Sequence, residues 1–284
     1  MKPAPFELVR PASLEEALEA LAAGPDAKVL AGGQSLVPLL SMRLASPGLL
    51  VDINGIGSLA YVRTSDDGVR VGALARHTDV LRDDVAARVQ PLLRKALRLV
   101  AHPTIRNRGT TVGSIVHADA SAEVPAVLAL VEGHVTAASV RGHRDIPVSE
   151  LFVGPMESSL RPDEVAVEAF FPALPAGTGT AVEEVARRHG DYALCGVAAA
   201  VRPGATARVS YFSVCDVPTA VDVSPVLADG PTERAVADAA ELALEHLEPS
   251  EDIHATADYR RQLVRVLTAR ALRAAWDDAR EEDR

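Results

Sequence analysis

The sequence contains little cysteine, few aromatic residues and no long apolar run. Its 284 residues include two cysteines, Cys195 and Cys215, which cannot form a disulfide framework. Two thiolates are also too few for an iron–sulfur cluster, which takes four cysteines or close substitutes. No run of about 18 apolar residues occurs, so we expect no membrane span. The N-terminus lacks the apolar core of a signal peptide, so we expect a cytoplasmic protein.

Positive charge is also scarce. There are 29 Lys and Arg against 39 Asp and Glu, and the formal net charge is −10. This balance argues against binding along a nucleic-acid backbone. An anionic cofactor remains compatible with it, because backbone amides can hold phosphates without a basic surface. With 48% hydrophobic residues, the chain is long enough to form two domains, or one with an appendage.

The N-terminal pattern alternates helix and strand. Ser13 and Glu16 have the spacing of a capping box before an apolar helical stripe. Residues 27–31 and 49–53 are typical of short buried strands, and a glycine pair lies between them. Further along, a helical pattern over 85–101 is interrupted near Pro91. The stretch 172–181, rich in Pro, Gly and Thr, is the best domain boundary, and two strands and two helices are expected beyond it.

The stretch VLAGGQSLVP (29–38) places Gly32 and Gly33 directly after a strand. Glycine allows a backbone to approach a diphosphate closely and to adopt positive φ, and Gln34 and Ser35 could add donors. The motif is neither a Rossmann fingerprint nor a P-loop. On its own, the motif indicates no more than an ordinary tight turn.

A second stretch, RNRGTTVGSIVHADASAE (106–123), combines a Gly-Thr turn with His117, Asp119 and Glu123. Carboxylates near a nucleotide commonly accept hydrogen bonds from sugar hydroxyls. In the alternative interpretation, Asp119 caps a helix starting at Ser121 and His117 is a structural residue. No further His or Cys lies close in sequence, so we expect no metal site here.

Several motifs in order resemble one known family. The start of the chain (6–40), LVDIN (50–54), IRNRGT (105–110), HADASAE (117–123), RRHGDYALCGVAAAV (187–201) and YRRQLVRVLTARAL (259–272) occur in register. Together they are similar to the FAD-binding medium subunits of molybdenum hydroxylases, the aerobic carbon monoxide dehydrogenase and xanthine dehydrogenase family. The resemblance covers nearly the whole chain.

The resemblance implies an α+β fold in three parts. A two-part FAD-binding module of the vanillyl-alcohol-oxidase or PCMH-like type would comprise subdomain 1 (residues 1–57) and subdomain 2 (residues 58–175). A small α+β C-terminal domain (residues 176–284) would follow. FAD, the implied cofactor, would lie between the parts.

The resemblance also implies which residues bind FAD. The first loop would hold the diphosphate through its backbone amides, and the second loop would complete the grip. Tyr192 would shield one face of the flavin ring beside Asp191, and Glu123 would accept from ribityl or ribose hydroxyls. The implied cofactor-binding residues are Ala31, Gly32, Gly33, Gln34, Ser35, Leu36, Gly109, Thr110, Thr111, Gly113, Ser114, His117, Asp119, Glu123, Asp191 and Tyr192.

Two departures from the family pattern stand out. Val112 occupies a position where the family has glycine. If this residue contacts the diphosphate in left-handed geometry, a β-branched side chain should weaken FAD binding by about 1–3 kcal/mol; alternatively, the loop is shifted by one residue. The stretch 213–221 occupies the position where relatives have a glycine-rich turn. This departure should change the structure either at the far edge of the flavin site or at a contact with another subunit.

The resemblance implies an electron-transfer subunit with no catalytic side chain of its own. A large molybdopterin-binding subunit and a small [2Fe–2S] subunit would complete a heterotrimer, or a dimer of it. Electrons would pass through FAD to NAD, a quinone or oxygen. Two alternatives stay open: a self-sufficient FAD-dependent oxidoreductase on the same fold, and a scaffold subunit with a degenerate flavin site. The substrate could be carbon monoxide, a purine, an aldehyde or an N-heterocycle.

Overall fold

A small parallel sheet forms the N-terminal part of the protein. The computed structural model describes residues 2–24 and 26–282. Strands β1 (Glu7–Val9), β2 (Ala27–Leu30) and β3 (Leu49–Asp52) lie in the order β1-β3-β2. Helix α1 (Leu14–Ala23) connects β1 to β2, and α2 (Leu36–Met42) connects β2 to β3. The carboxyl end of β2 therefore leads directly into the glycine-bearing loop.

The first helix begins where the sequence predicts. Ser13 Oγ accepts a hydrogen bond from the Glu16 backbone N–H at 3.2 Å, which satisfies an otherwise free amide of the first turn. The Glu16 carboxylate in turn accepts from the Ala12 amide at 2.8 Å. Leu18 and Leu21 then bury one stripe of the helix in the N-terminal core.

An antiparallel sheet forms the middle part. It contains β4 (Val62–Ser65), β5 (Gly68–Gly72), β6 (His134–Ser139), β7 (Gly142–Pro147) and β10 (Val165–Pro172) in the spatial order β4-β5-β10-β6-β7. All neighbouring strands are antiparallel. The central strand β10 is thus the last of the five in the sequence, which closes this part of the chain on itself.

Seven helices and a two-stranded ribbon are inserted between these strands in the described part of the chain. The helices are α3 (His77–Arg82), α4 (Asp84–Val89), α5 (Pro91–Leu99), α6 (Pro103–Arg106), α7 (Thr111–His117), α8 (Glu123–Leu130) and α9 (Val148–Leu151). The ribbon is formed by β8 (Phe152–Gly154) and β9 (Glu157–Ser158). The predicted interruption near Pro91 is the junction between α4 and α5, where Pro91 takes the first helical position.

The C-terminal part is an antiparallel meander covered by two helices. Strands β11 (Gly179–Ala186), β12 (Ala193–Arg202), β13 (Thr206–Phe212) and β14 (Thr219–Asp222) pair in sequence order. Helices α10 (Glu233–Leu244) and α11 (Ala257–Glu282) form one core with them. Within the described ranges, no helix has both the length and the apolar character needed to cross a membrane.

Candidate cofactor site

The first loop, residues 31–36, leaves β2 and enters α2 with its amides free. Gly33 has φ of +72°, a left-handed conformation that favours glycine. Among the described residues, the backbone N–H groups of 33–36 donate to no other protein group. Pro38 lies within the first turn of α2, where its missing N–H removes no helical hydrogen bond. The loop therefore presents a row of unused donors.

Gly32 brings the first loop against the second. A Cβ atom at this position would lie 2.6 Å from the Arg108 carbonyl oxygen and 2.8 Å from Gly109 Cα. Both distances are shorter than side-chain carbons tolerate, and both involve backbone that cannot rotate away. Glycine is thus needed at position 32, because here the backbone of the first loop packs directly on the backbone of the second. The contacting residues Gly32 and Arg108 are 76 positions apart in the sequence.

A hydrogen-bonded bridge supports this contact from the side. The side-chain Nδ2 of Asn54 donates to the Ala31 carbonyl oxygen at 2.8 Å. The Arg76 guanidinium donates to Asn54 Oδ1 at 2.8 Å and to the Arg108 carbonyl oxygen at 2.6 Å. Asn54 and Arg76 therefore link one loop to the other. Asn54 is the last residue of the LVDIN motif (50–54), but nothing local in the sequence indicates that Asn54 or Arg76 links the two loops.

The second loop ends in a capped helix. Thr110 is the N-cap of α7, and its hydroxyl accepts a hydrogen bond from the Gly113 backbone N–H at 3.1 Å. A Cβ on Gly113 would lie 2.4 Å from that hydroxyl oxygen. Glycine at position 113 thus makes room for the cap, and Thr111 and Ser114 follow on the same first turn.

Val112 does not have the conformation that would weaken cofactor binding. It is the second residue of α7, 1% exposed, and its side chain packs in the core under the middle sheet. The expectation of a strained left-handed valine with its methyls against a diphosphate is therefore wrong. A helical position tolerates a β-branched residue, and here the branch fills the core.

His77 lies beneath the second loop. Its Nδ1 is 3.2 Å from Thr111 Oγ1, and its backbone N–H donates to the Gly109 carbonyl oxygen at 3.0 Å. A Cβ on Gly109 would meet the His77 ring at 2.9 Å. Burial, aided by the charge of Arg106, lowers the pKa of His77 to about 4. The ring is therefore neutral at physiological pH and serves as a packed support for the loop.

The segment after α7 turns sharply toward the C-terminal part. Ala118 ends the helix in a left-handed conformation with φ of 56°. Asp119 Oδ1 accepts from the Ser121 amide at 2.9 Å, which makes a local turn. The expected helix start at Ser121 is therefore wrong, because α8 begins at Glu123 after Ala122.

His117, the last residue of α7, is half-buried. Burial is the main reason why its pKa is lowered.

Ser213, the first residue of the departing stretch 213–221, contacts this segment. Its amide donates to the Ala120 carbonyl oxygen at 2.8 Å, and its φ is +58°. Its hydroxyl is buried without a partner in the part of the chain described. Ser213 thus takes a glycine-like conformation in order to join the C-terminal domain to the second loop.

Glu123, Asp191 and Tyr192 lie where the middle and C-terminal parts meet. Glu123 is 9% exposed, and Tyr192, on the turn between β11 and β12, is 64% exposed. Partial burial of the hydroxyl and the nearby Asp119 carboxylate raise the pKa of Tyr192. Asp191 closes the turn by donating its amide to the Arg188 carbonyl oxygen at 3.1 Å. An exposed aromatic ring therefore stands beside a buried carboxyl group.

Comparison with known families identifies this arrangement. Residues 4–174 match the family described as the FAD binding domain in molybdopterin dehydrogenase. Residues 180–275 match the CO dehydrogenase flavoprotein C-terminal domain. The chain belongs to the FAD-binding medium subunits of the molybdenum hydroxylases. The resemblance seen in the sequence is thereby confirmed, and FAD is the cofactor of this medium subunit.

Individual relatives match over nearly their whole length. A 6-hydroxypseudooxynicotine dehydrogenase complex subunit alpha from Paenarthrobacter nicotinovorans is 43% identical over 99% of this chain and 97% of its own. The carbon monoxide dehydrogenase medium chain of Hydrogenophaga pseudoflava is 36% identical over 97% and 99%. The crystal structure of quinoline 2-oxidoreductase from Pseudomonas putida 86 has a TM-score of 0.91 at 38% identity, covering 98% of this chain and 99% of that one. The expected α+β fold and the classification as an oxidoreductase subunit are confirmed.

The residues present in this medium subunit fit FAD. The cradle at Gly32 and Gly33 has no side chain to obstruct a phosphate, and the amides of 33–36 supply donors of the required kind. The buried carboxyl of Glu123 supplies an acceptor for hydroxyl groups. The net charge of −10 does not oppose this fit, since the donors are backbone groups.

Proposed function

We propose that this chain is the flavin electron-transfer station of a heteromeric molybdopterin and iron–sulfur hydroxylase or dehydrogenase. In this proposal, electrons from the [2Fe–2S] clusters of a small subunit reach an external acceptor through FAD. A large molybdopterin-binding subunit oxidises the substrate. The acceptor is NAD, a quinone or oxygen, and the assembly is a heterotrimer or its dimer.

The observation that carries the proposal is the backbone contact between the two loops at Gly32. It places the free amides of 33–36 beside the turn at Gly109 and Thr110. Such convergent amides suit a diphosphate. When bound, FAD supplies the redox chemistry, and the protein contributes binding, orientation and electrostatics. The roles assigned above to the sixteen residues, from Ala31 to Tyr192, are part of this proposal.

The domain boundaries are proposed as 1–57, 58–175 and 176–284. The first boundary falls between β3 and β4, and the second between β10 and β11. Each therefore separates strands that belong to different sheets. Limited proteolysis of the apoprotein should cut first near residues 173–178, where the chain passes from one sheet to the next.

The need for partner subunits is supported by the chain's own chemistry. Its two cysteines cannot bind a cluster, and one of them, Cys195, is fully buried in the C-terminal core. Burial raises the pKa of the Cys195 thiol to about 12, so it is poorly suited as a ligand or nucleophile. In this proposal, the clusters and the molybdenum centre are therefore supplied by other chains.

The substrate is proposed to be selected outside this chain. Relatives named for carbon monoxide and for 6-hydroxypseudooxynicotine resemble it to similar degrees over its whole length. The alternative of a scaffold subunit with a degenerate flavin site was based on Val112. It is no longer supported, because Val112 is a core residue of α7 rather than an obstruction in the flavin site.

Purification of the native complex tests the proposal. We expect the chain to co-purify with two other polypeptides, and with flavin, molybdenum and iron in fixed ratio. Substrate should then bleach the flavin absorbance. A chain that neither carries flavin nor takes up added FAD would overturn the proposal. So would a flavin-containing chain that turns over a substrate unaided, without molybdenum or iron.

A further inference from the structure

A second, half-buried carboxyl group lies beside Glu123. Glu184, on β11, has one carboxyl oxygen, Oε2, that is buried and has no hydrogen-bond partner among the described residues. Glu123 is the first residue of α8, and apart from its own amide its carboxylate accepts from no described residue. Buried polar groups in native proteins are almost always hydrogen-bonded. The buried Oε2 of Glu184, which no described residue reaches, therefore indicates a missing donor beside Glu123.

The strand geometry directs Glu184 toward Glu123. Val182 packs with Ala126 of α8, one turn after Glu123, and with Ala193 of β12. Side chains two residues apart on a strand share a face. Glu184 therefore faces α8 across the same seam. Burial, and next the charge of Glu184, raise the pKa of Glu123 to about 8, while burial raises the pKa of Glu184 to about 7.

The missing donor belongs at the flavin end of the site. Tyr192, the exposed aromatic residue, follows β11 in the same hairpin. After burial of the hydroxyl, the negative charges of Asp119 and Glu123 also raise its pKa. The amide row at 33–36, suited to the diphosphate, lies in a different loop. Between a diphosphate and a flavin ring, FAD carries a chain of hydroxyl groups. Hydroxyls are donors that a carboxyl pair can accept from.

We propose that Glu184 is a cofactor-binding residue that accepts, together with Glu123, hydrogen bonds from the ribityl hydroxyls of FAD. This inference rests on the proposed function. It adds a third residue of the C-terminal domain to Asp191 and Tyr192, because Glu184 lies on β11. None of the sixteen residues assigned from the sequence has a buried side-chain oxygen without a partner among the described residues, as Glu184 does.

The test compares ligands that contain or lack the ribityl chain. Wild-type apoprotein, Glu184→Gln, Glu184→Ala and the control Glu183→Gln are titrated with FAD and with ADP. Glu183 is a matched control, since it is adjacent on β11 and faces the other side of the sheet. Loss of the carboxyl group should raise the FAD Kd of Glu184→Gln about tenfold, and loss of every acceptor should raise that of Glu184→Ala further. The ADP Kd should stay within about twofold throughout.

Three results would overturn the inference. An FAD Kd in both Glu184 variants equal to that of wild type would show that the carboxyl pair only shares a proton within the fold. A parallel loss of ADP affinity would place the effect on the other half of the cofactor. An equal loss of FAD affinity in Glu183→Gln would show that the effect is not specific to Glu184. The thermal midpoint of each apoprotein identifies any variant that fails to fold, and the ratio of FAD to ADP affinity is taken from folded protein. If wild type itself binds no FAD, the proposed function fails as well.

Discussion

The two loops of the cofactor site reach the same place by different means. In the first loop, glycines are required by the path of the backbone: Gly32 packs against Arg108 and Gly109, and Gly33 has positive φ. In the second loop, a capped helix determines the path, and Val112 points into the core.

The difference explains why a glycine-to-valine departure is tolerated in one loop. A valine in a glycine-rich motif does no harm where its side chain packs into the hydrophobic core, as at Val112. It would not be harmless at Gly32, where the space is filled by backbone atoms. The predictions below test this asymmetry, beginning with the largest expected effect.

Val112→Gly should cost stability rather than improve cofactor binding. Removal of a buried side chain leaves a cavity, and glycine weakens the helix, so we expect a loss of about 4 kcal/mol in the free energy of unfolding. Denaturant unfolding measures it. Val85→Gly is the control: Val85 is also the second residue of its helix but is 50% exposed, and should lose about 1 kcal/mol. Tighter FAD binding by Val112→Gly, or equal losses in both variants, would contradict the assignment.

Acid should loosen the support of the second loop. Unfolded His77 titrates near pH 6.5 and folded His77 near 4, so between these values the unfolded state binds more protons. The stability contributed by neutral His77 is thus complete above pH 6.5 and falls by up to about 3 kcal/mol as the pH drops toward 4. His77→Asn should show a flatter profile over this range, whereas replacement of exposed His143 by Asn should not. Identical wild-type and His77→Asn profiles would refute this.

Gly32→Ala should separate the loops. The added Cβ cannot be accommodated beside Arg108 and Gly109 without backbone movement. We expect the FAD Kd to rise about 100-fold, equivalent to about 2.7 kcal/mol, in a fluorescence titration. In Gly57→Ala, the new methyl group meets open space, and the FAD Kd should not change. An unchanged Kd for Gly32→Ala would mean that contact between the loops is irrelevant to binding.

Ser213→Gly should stabilise the protein slightly. Glycine relieves the left-handed strain at φ of +58° and removes an unpartnered hydroxyl, and these gains outweigh its greater freedom in the unfolded state. We expect about 1 kcal/mol more stability. Ser210 also has a buried, unpartnered hydroxyl but lies in extended β13, so Ser210→Gly should destabilise. A loss of stability in both variants would show that strain at Ser213 is negligible.

Local patterns were enough to predict the glycine loops and the elements around them. The Ser13 cap, the strands leading into and out of the first loop and the interruption at Pro91 follow from short-range rules that act within one turn or one strand. The family resemblance then indicated how the two loops come together, although neither loop alone distinguishes a cofactor cradle from a turn.

Contacts between distant residues could not be predicted in this way. Arg76 reaches Asn54 and Arg108 through hydrogen bonds that span 22 and 32 residues, and nothing near Arg76 indicates them. The helix start at Glu123 was missed because Asp119 uses its side chain in a tighter local turn. The direction of Val112 depends on a core assembled from several strands and helices, which residue type alone does not specify.

The most direct test of the central claim compares FAD with riboflavin, which lacks the diphosphate. If the two loops hold the diphosphate, wild-type protein should bind FAD far more tightly than riboflavin. Gly32→Ala should remove most of this advantage while leaving the riboflavin Kd nearly unchanged. A ratio of FAD to riboflavin affinity that is the same in wild type and Gly32→Ala would contradict the account.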